Sequence, residues 1–118
     1  MKIEPRQSAV DEAAANGKLA LLVNRCPGWR LFPSIDGANG AAKNGHLKVL
    51  VWLAAEHKVY PGQDGAYWAA QNGHIEIVKF LATLEDEKRR VYPTQEGADW
   101  AAINGHIEIV EFLATLED

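Results

Sequence analysis

Among its 118 residues the chain has a single cysteine, Cys26. One thiol excludes an internal disulfide and a thiolate metal cluster, and it fits a reducing compartment. Serine is nearly absent, with only Ser8 and Ser34, so there is little material for a hydroxyl nucleophile. No apolar stretch approaches the roughly 20 residues a membrane-spanning helix needs. No apolar run follows Met1 to Arg6 as it would in a signal peptide. Basic residues are outnumbered, twelve Lys and Arg against sixteen Asp and Glu, for a net charge of −4. The positive field that a phosphate backbone requires is therefore missing. The one basic cluster, Lys88-Arg89-Arg90, follows Glu85-Asp86-Glu87 and reads as a solvated linker rather than a nuclear-localisation or phosphate-contact segment. These absences point to an intracellular, cytoplasmic protein with neither nucleic acid nor membrane as partner.

What the chain does have is a repeat. Ala-Ala-x-Asn-Gly occurs four times, ending at Gly17, Gly45, Gly73 and Gly105, at spacings of 28, 28 and 32 residues. A proline precedes each copy: Pro5, Pro33, Pro61 and Pro93. The four extra residues before the last copy fall in the charged linker around Glu87 to Arg90. Copies three and four are the same from the glycine onward except for Lys79 and Glu111, the mark of an internal duplication, natural or engineered. The first copy is the most divergent: Lys18 replaces a histidine, and Asn24-Arg25-Cys26 replaces Trp52-Leu53-Ala54. A polar, atypical first copy is what an N-terminal cap requires. The chain is read as one domain, 1–118, with units at about 3–30, 31–58, 59–90 and 91–118.

Each unit reads as helix, tight turn, helix, loop. Asp64 is placed to cap the first helix, with Ser8, Asp36 and Glu96 at matching positions. Paired alanines allow close helix packing, and Asn72-Gly73 ends the helix by tolerating the left-handed conformation. The second helix is predicted from His74 or Ile75 to about Leu84. Ile75, Ile77, Val78, Phe80 and Leu81 cover more than one stripe, so that helix must be covered on several sides.

Ala69-Ala70-Gln71-Asn72-Gly73-His74-Ile75-Glu76-Ile77-Val78-Lys79-Phe80-Leu81 resembles the central ankyrin-repeat motif, and the copies at Ala41 to Leu53 and Ala101 to Leu113 match equally well. Ala13 to Leu22 matches in part. The opening Thr-Pro-Leu-His is replaced by Asp36-Gly37-Ala38-Asn39, Asp64-Gly65-Ala66-Tyr67 and Glu96-Gly97-Ala98-Asp99, and the units are shorter than the usual 33 residues. Such compact repeats resemble divergent arrays of protists, oomycetes among them, and of large DNA viruses. The resemblance implies an all-α solenoid of four helix–turn–helix repeats, with plain loops instead of β-hairpin fingers.

Candidate sites follow from positions that vary between copies. Trp68 and Trp100 stand where copies one and two carry Glu12 and Gly40, a range a core position does not accept. By resemblance this position, and the one holding Ala15, Lys43, Gln71 and Ile103, face the concave surface where partners dock. The candidate patch is Tyr67, Trp68, Gln71, Asp99, Trp100, Ile103 and Lys43, with Trp as a favoured anchor. The bland alternative is that the two indoles pack on each other or on the preceding loop. Phe32, Tyr60 and Tyr92 are expected to staple the helix starts, and Trp52, Phe80 and Phe112 to be structural. Trp29, in a loop at Cys26-Pro27-Gly28-Trp29, has no counterpart, and His57 stands alone. His46, His74 and His106 recur one repeat apart, too far to share an ion; by resemblance each orders a turn. No metal or cofactor is expected.

Nothing in the chain assembles a nucleophile–base pair, a carboxylate pair or a phosphate loop. The expected function is binding of a protein partner through the concave face, without catalysis. The alternative is a structural or oligomerising spacer from a longer array. The last copy keeps Ile107, Val110, Phe112 and Leu113 where a solenoid cap would be polar, so either more repeats follow or a second copy covers this face, as in a homodimer.

Overall fold

The computed structural model describes residues 3–116. Its order is α1 (Gln7–Ala15), α2 (Leu19–Trp29), α3 (Ile35–Asn44), α4 (Leu47–Trp52), α5 (Gln63–Gln71), α6 (Ile75–Ala82), α7 (Gln95–Ile103) and α8 (Ile107–Thr115), with no strand among the described residues. The helices form four pairs stacked into an array of 56 × 27 × 19 Å.

Every first helix starts two residues after a repeat proline. The intervening residue, Arg6, Ser34, Gly62 or Thr94, is extended and is the true N-cap. This corrects the expected caps: Ser8, Asp36, Asp64 and Glu96 lie inside the first turn. There the carboxylates face the positive end of the helix instead of capping it. Only Thr94 caps with its own hydroxyl, accepting from the Gly97 amide at 3.3 Å.

The first helices pack side by side in an inner row, α1 on α3 on α5 on α7. Ala38, Ala41, Ala42, Ala66, Ala69 and Ala70, all at most 1% exposed, make that closeness possible. Each helix ends in a Schellman motif. His74 N–H donates to Ala69 C=O at 2.9 Å and Gly73 N–H to Ala70 C=O at 3.3 Å, with Gly73 at φ 82°. The second helix then begins at Ile75 and buries Ile77, Val78 and Leu81.

Several details depart from the expected boundaries. The helix α6 stops at Ala82 rather than near Leu84. The Cys26-Pro27-Gly28-Trp29 segment is the last stretch of α2, not a loop, and Trp29 packs against the core. Helix α4 runs on into a π-helical turn, Leu53–His57, which ends at Lys58 in the left-handed conformation. His57 does not stand alone: its ring lies 3.9 Å from that of Phe32 and edge-on to Trp52 at 4.9 Å. Phe32 and Trp52 are half-buried against the core, while Tyr92 is 42% exposed. The linker before α7 folds into a 3₁₀ turn, Glu87–Arg89. It is pinned by Arg90 Nε donating to Leu84 C=O at 2.6 Å and by Arg89 over the Tyr60 ring at 5.2 Å.

Candidate partner-binding surface

The joints between units set the site. The Schellman motif satisfies the carbonyls four and three residues before the turn glycine and leaves the one two residues before it open. In units two and three that leftover carbonyl is taken by the following unit. Lys43 C=O accepts from Asn72 Nδ2 and His74 Nε2, each at 3.0 Å. Gln71 C=O accepts from Asn104 Nδ2 and His106 Nε2, again at 3.0 Å. A carbonyl only accepts, so both imidazoles carry their proton on Nε2. At the first joint Asn44 Nδ2 donates to Ala15 C=O at 2.9 Å.

Each histidine ring also fills the space over the preceding unit's turn glycine. A Cβ at Gly17, Gly45 or Gly73 would stand 2.5, 2.7 or 2.6 Å from the His46, His74 or His106 ring. These residues are the mortar of the stack. Among the described residues no group of histidine, cysteine and carboxylate side chains is arranged to hold a metal ion.

A second pin sits at the other end of the inner helices. Asp11 accepts from the Ser34 amide and hydroxyl, both at 2.7 Å, and Asn39 accepts from the Gly62 amide at 2.8 Å. At the third joint Tyr67 holds this position, and that end is held by Gln63 Nε2 donating to Tyr92 C=O, so the exposed side of the inner row is braced at both ends of each joint.

The predicted patch lies on it in two parts. Tyr67 and Trp68 meet edge to face at 5.1 Å, and Lys43 Nζ lies 4.4 Å over the Trp68 ring. One unit further on, Trp100 is 38% and Ile103 69% exposed, with Asp99 also exposed. Among the described residues no ring pair joins Trp68 to Trp100; Trp68 packs on Tyr67 and Lys43 instead. Gln71 is half-buried, and its Oε1 has no hydrogen-bond donor among the described residues. Burial, and then the Glu96 carboxylate, push the Tyr67 phenol above its ordinary value, so it remains a neutral donor at physiological pH.

The predicted self-association residues divide. Ile107 and Val110 are 67% and 38% exposed, whereas Phe112 and Leu113 are half-buried against the core. Sequence reasoning passed over a cleft of about 530 Å³ on the outer side, lined by Val51, Ala54, Lys58, Tyr60, Phe80 and Leu84 among others. Its walls come from the π-turn and the linker, which no motif announces. Its lining mixes apolar side chains with Lys58, Thr83, Glu85 and Asp86.

An array of helix–turn–helix units locked through one recurrent turn is a helical repeat scaffold. The model of the ankyrin repeats (3 copies) matches residues 39–118, and the chain belongs to the ankyrin-repeat family. The matched region takes in the three later units and leaves the divergent first one outside. No curated protein and no solved structure matches the chain. Ankyrin repeats are in general protein–protein interaction modules, and their domains are typically non-catalytic. Among the described residues no helix is long and apolar enough to cross a membrane.

Proposed function

We propose that the protein binds a protein partner on the exposed side of its inner helix row, in an intracellular setting and without catalysis. The observation that carries this reading is the pairing of an exposed indole, Trp100, with the cation-backed indole of Trp68 on a rigid surface. Large aromatic side chains held by a scaffold bind with little loss of rotamer entropy, and they dominate binding energy when a partner covers them. Lys43 and Asp99 frame the patch with opposite charges.

Selection of a displayed peptide library on the protein, with the Trp100→Ala variant as counter-selection, tests the reading. Ligands that bind the wild type should weaken by 10-fold or more on Trp68→Ala or Trp100→Ala, about 1.4 kcal/mol or more, with helical content unchanged. Ligands indifferent to both substitutions would move the function elsewhere. A second reading, a structural segment that associates through its last unit, is favoured by the exposure of Ile107 and Val110.

A further inference from the structure

We propose that the open face of the last unit docks on the first unit of a second copy of this chain, head to tail. This deepens the self-associating reading and is separable from the binding reading through Trp68 and Trp100, since the two surfaces share only Asp99 and Ile103.

The existing joints define what such a face accepts. Unit four repeats unit three from the turn glycine onward except at one position, and unit three's face already carries a unit. At unit four the same features stand open. A Cβ at Gly105 would meet nothing within 4 Å, whereas at Gly73 it would strike His106. The Ile103 carbonyl, equivalent to that of Gln71, has no unit beyond it among the described residues. Val110 is 38% exposed where Leu22, Leu50 and Val78 are at most 1% exposed.

The opposite end of the chain carries the complement. Val49, Ile77 and Ile109 are 1% exposed, whereas the matching residue of unit one, Leu21, is 44% exposed. Position 21 is thus the one covered by a preceding unit, and Val110 the one covered by a following unit. Unit one also presents donors at every place where unit four presents an acceptor. Asp99 matches Asp11, which accepts from the N-cap Ser34 at the first joint; its counterpart here is the amide and guanidinium of the N-cap Arg6. The Ile103 carbonyl would meet Asn16 and Lys18, which hold the positions of Asn104 and His106.

The single change between units three and four fits the same register. Lys79 Nζ reaches the Phe112 ring of the next unit at 5.9 Å. In the proposed joint Glu111 replaces that lysine and Asn24-Arg25 replaces Phe112-Leu113, so the acid would stand opposite Asn24 with Arg25 next to it in sequence. The ends are charged accordingly: residues 1–30 hold five basic and three acidic side chains, and 91–118 hold six acidic and no basic ones. One departure is Ala9, which stands where later units have glycine; its methyl would come 3.0 Å from the neighbouring backbone at the spacing of the first joint but 3.6 Å at that of the third, so the proposed joint takes the wider spacing. Because the two faces differ, the contact is heterologous and grows into open chains rather than closing as a dimer.

The test is sedimentation velocity of the 118-residue protein over a concentration series, at low and at high salt. The expected result is a mass that climbs past the dimer with concentration and falls back with salt. Leu21→Glu and Val110→Glu, both at exposed positions, should each be monomeric with unchanged circular dichroism, and their equimolar mixture should stop at a one-to-one dimer. Glu111→Lys, which unit three shows to be compatible with the fold, should weaken association by about 10-fold. A wild type that stays monomeric throughout overturns the proposal. So does a Leu21→Glu variant that associates as well as the wild type, since that outcome means a symmetric contact between last units. An association constant unchanged by Glu111→Lys overturns the register.

Discussion

Two identical substitutions in identical local sequence should have unequal costs. Gly73 and Gly105 both follow Asn, both precede His-Ile-Glu-Ile-Val, and both lie in the left-handed region, at φ 82° and 78°. Alanine there costs about 1–2 kcal/mol from backbone strain alone, and this term is common to both sites. Only at Gly73 does the new methyl meet a neighbour, 2.6 Å from His106 Cε1. The ring must move, and it holds Gln71 C=O through Nε2. Forced overpacking of this kind costs about 1–3 kcal/mol, and the lost hydrogen bond adds about 1 kcal/mol. Gly73→Ala should therefore destabilise by about 2–4 kcal/mol more than Gly105→Ala. At about 4 °C per kcal/mol, their melting temperatures should differ by about 8–16 °C.

Urea titration followed by circular dichroism, at concentrations low enough to keep the protein monomeric, measures both. His106→Ala supplies the cycle: with the ring gone, the excess cost at Gly73 should fall to near zero while the cost at Gly105 is unchanged. Equal losses at the two glycines, or an excess that survives His106→Ala, would refute the steric account of the joint.

Other outcomes follow from the same geometry. Thr94→Ala should cost about 1 kcal/mol by removing the cap on Gly97, read as a shift in urea midpoint. Lys58→Gly, at φ 54°, should stabilise by about 1 kcal/mol, measured the same way. Cys26 is fully buried, and burial pushes its thiol above the ordinary value. In the native protein it should resist Ellman's reagent at neutral pH and react fully in 6 M guanidinium. Folded and unfolded chains both keep that thiol protonated at neutral pH; as pH passes about 8.5 the unfolded chain ionises first, so stability falls with rising pH rather than increasing.

The repeat, the helix pairs and the turn glycines were legible because each depends on local chemistry written four times over. The N-caps were not, although their residues were in plain view. An acidic residue in the first turn and a capping residue look alike in sequence, and the proline that sets the extended approach decides between them: Ser34 and Thr94 follow a proline directly, while Asp36 and Glu96 lie two residues further on. The last turn of α2 was hidden by Pro27 and Gly28, both poor helix formers that the packing of Cys26 and Trp29 overrides. The aromatic patch was legible only as a position tolerating Glu, Gly and Trp. Its division into Tyr67–Trp68–Lys43 and a separate Trp100 required the side-chain geometry, because lateral contacts between units carry no sequence signature.

With plain loops in place of projecting fingers, one unit is braced on the next by the joints and by short contacts of the connecting segments, such as Gln7 Nε2 donating to Phe32 C=O at 2.8 Å and Arg89 over the Tyr60 ring. The two pins lie toward opposite ends of the inner helices: Asp11 or Asn39 holds the next N-cap, and the carbonyl two residues before the turn glycine holds the next Asn and His. For a nine-residue helix such as α5 they stand about 13 Å apart. Two fixed points that far apart suppress rotation of one unit over the next, which a single pin would allow. The third joint breaks the pattern, since Tyr67 takes the place of the Asp11 or Asn39 acceptor. At this end the joint keeps Gln63 Nε2 donating to Tyr92 C=O, and it gains the interunit contact of Lys79 with Phe112 and the pinned linker turn at Glu87–Arg89. Trading an acceptor for Tyr67 lets an aromatic side chain stand beside Trp68 on the exposed surface. The joint without that acceptor therefore coincides with the centre of the proposed binding patch, and Tyr67→Asn should tighten the third joint while weakening partner binding. A melting temperature that does not rise, together with undiminished binding, would mean that the tyrosine serves neither purpose.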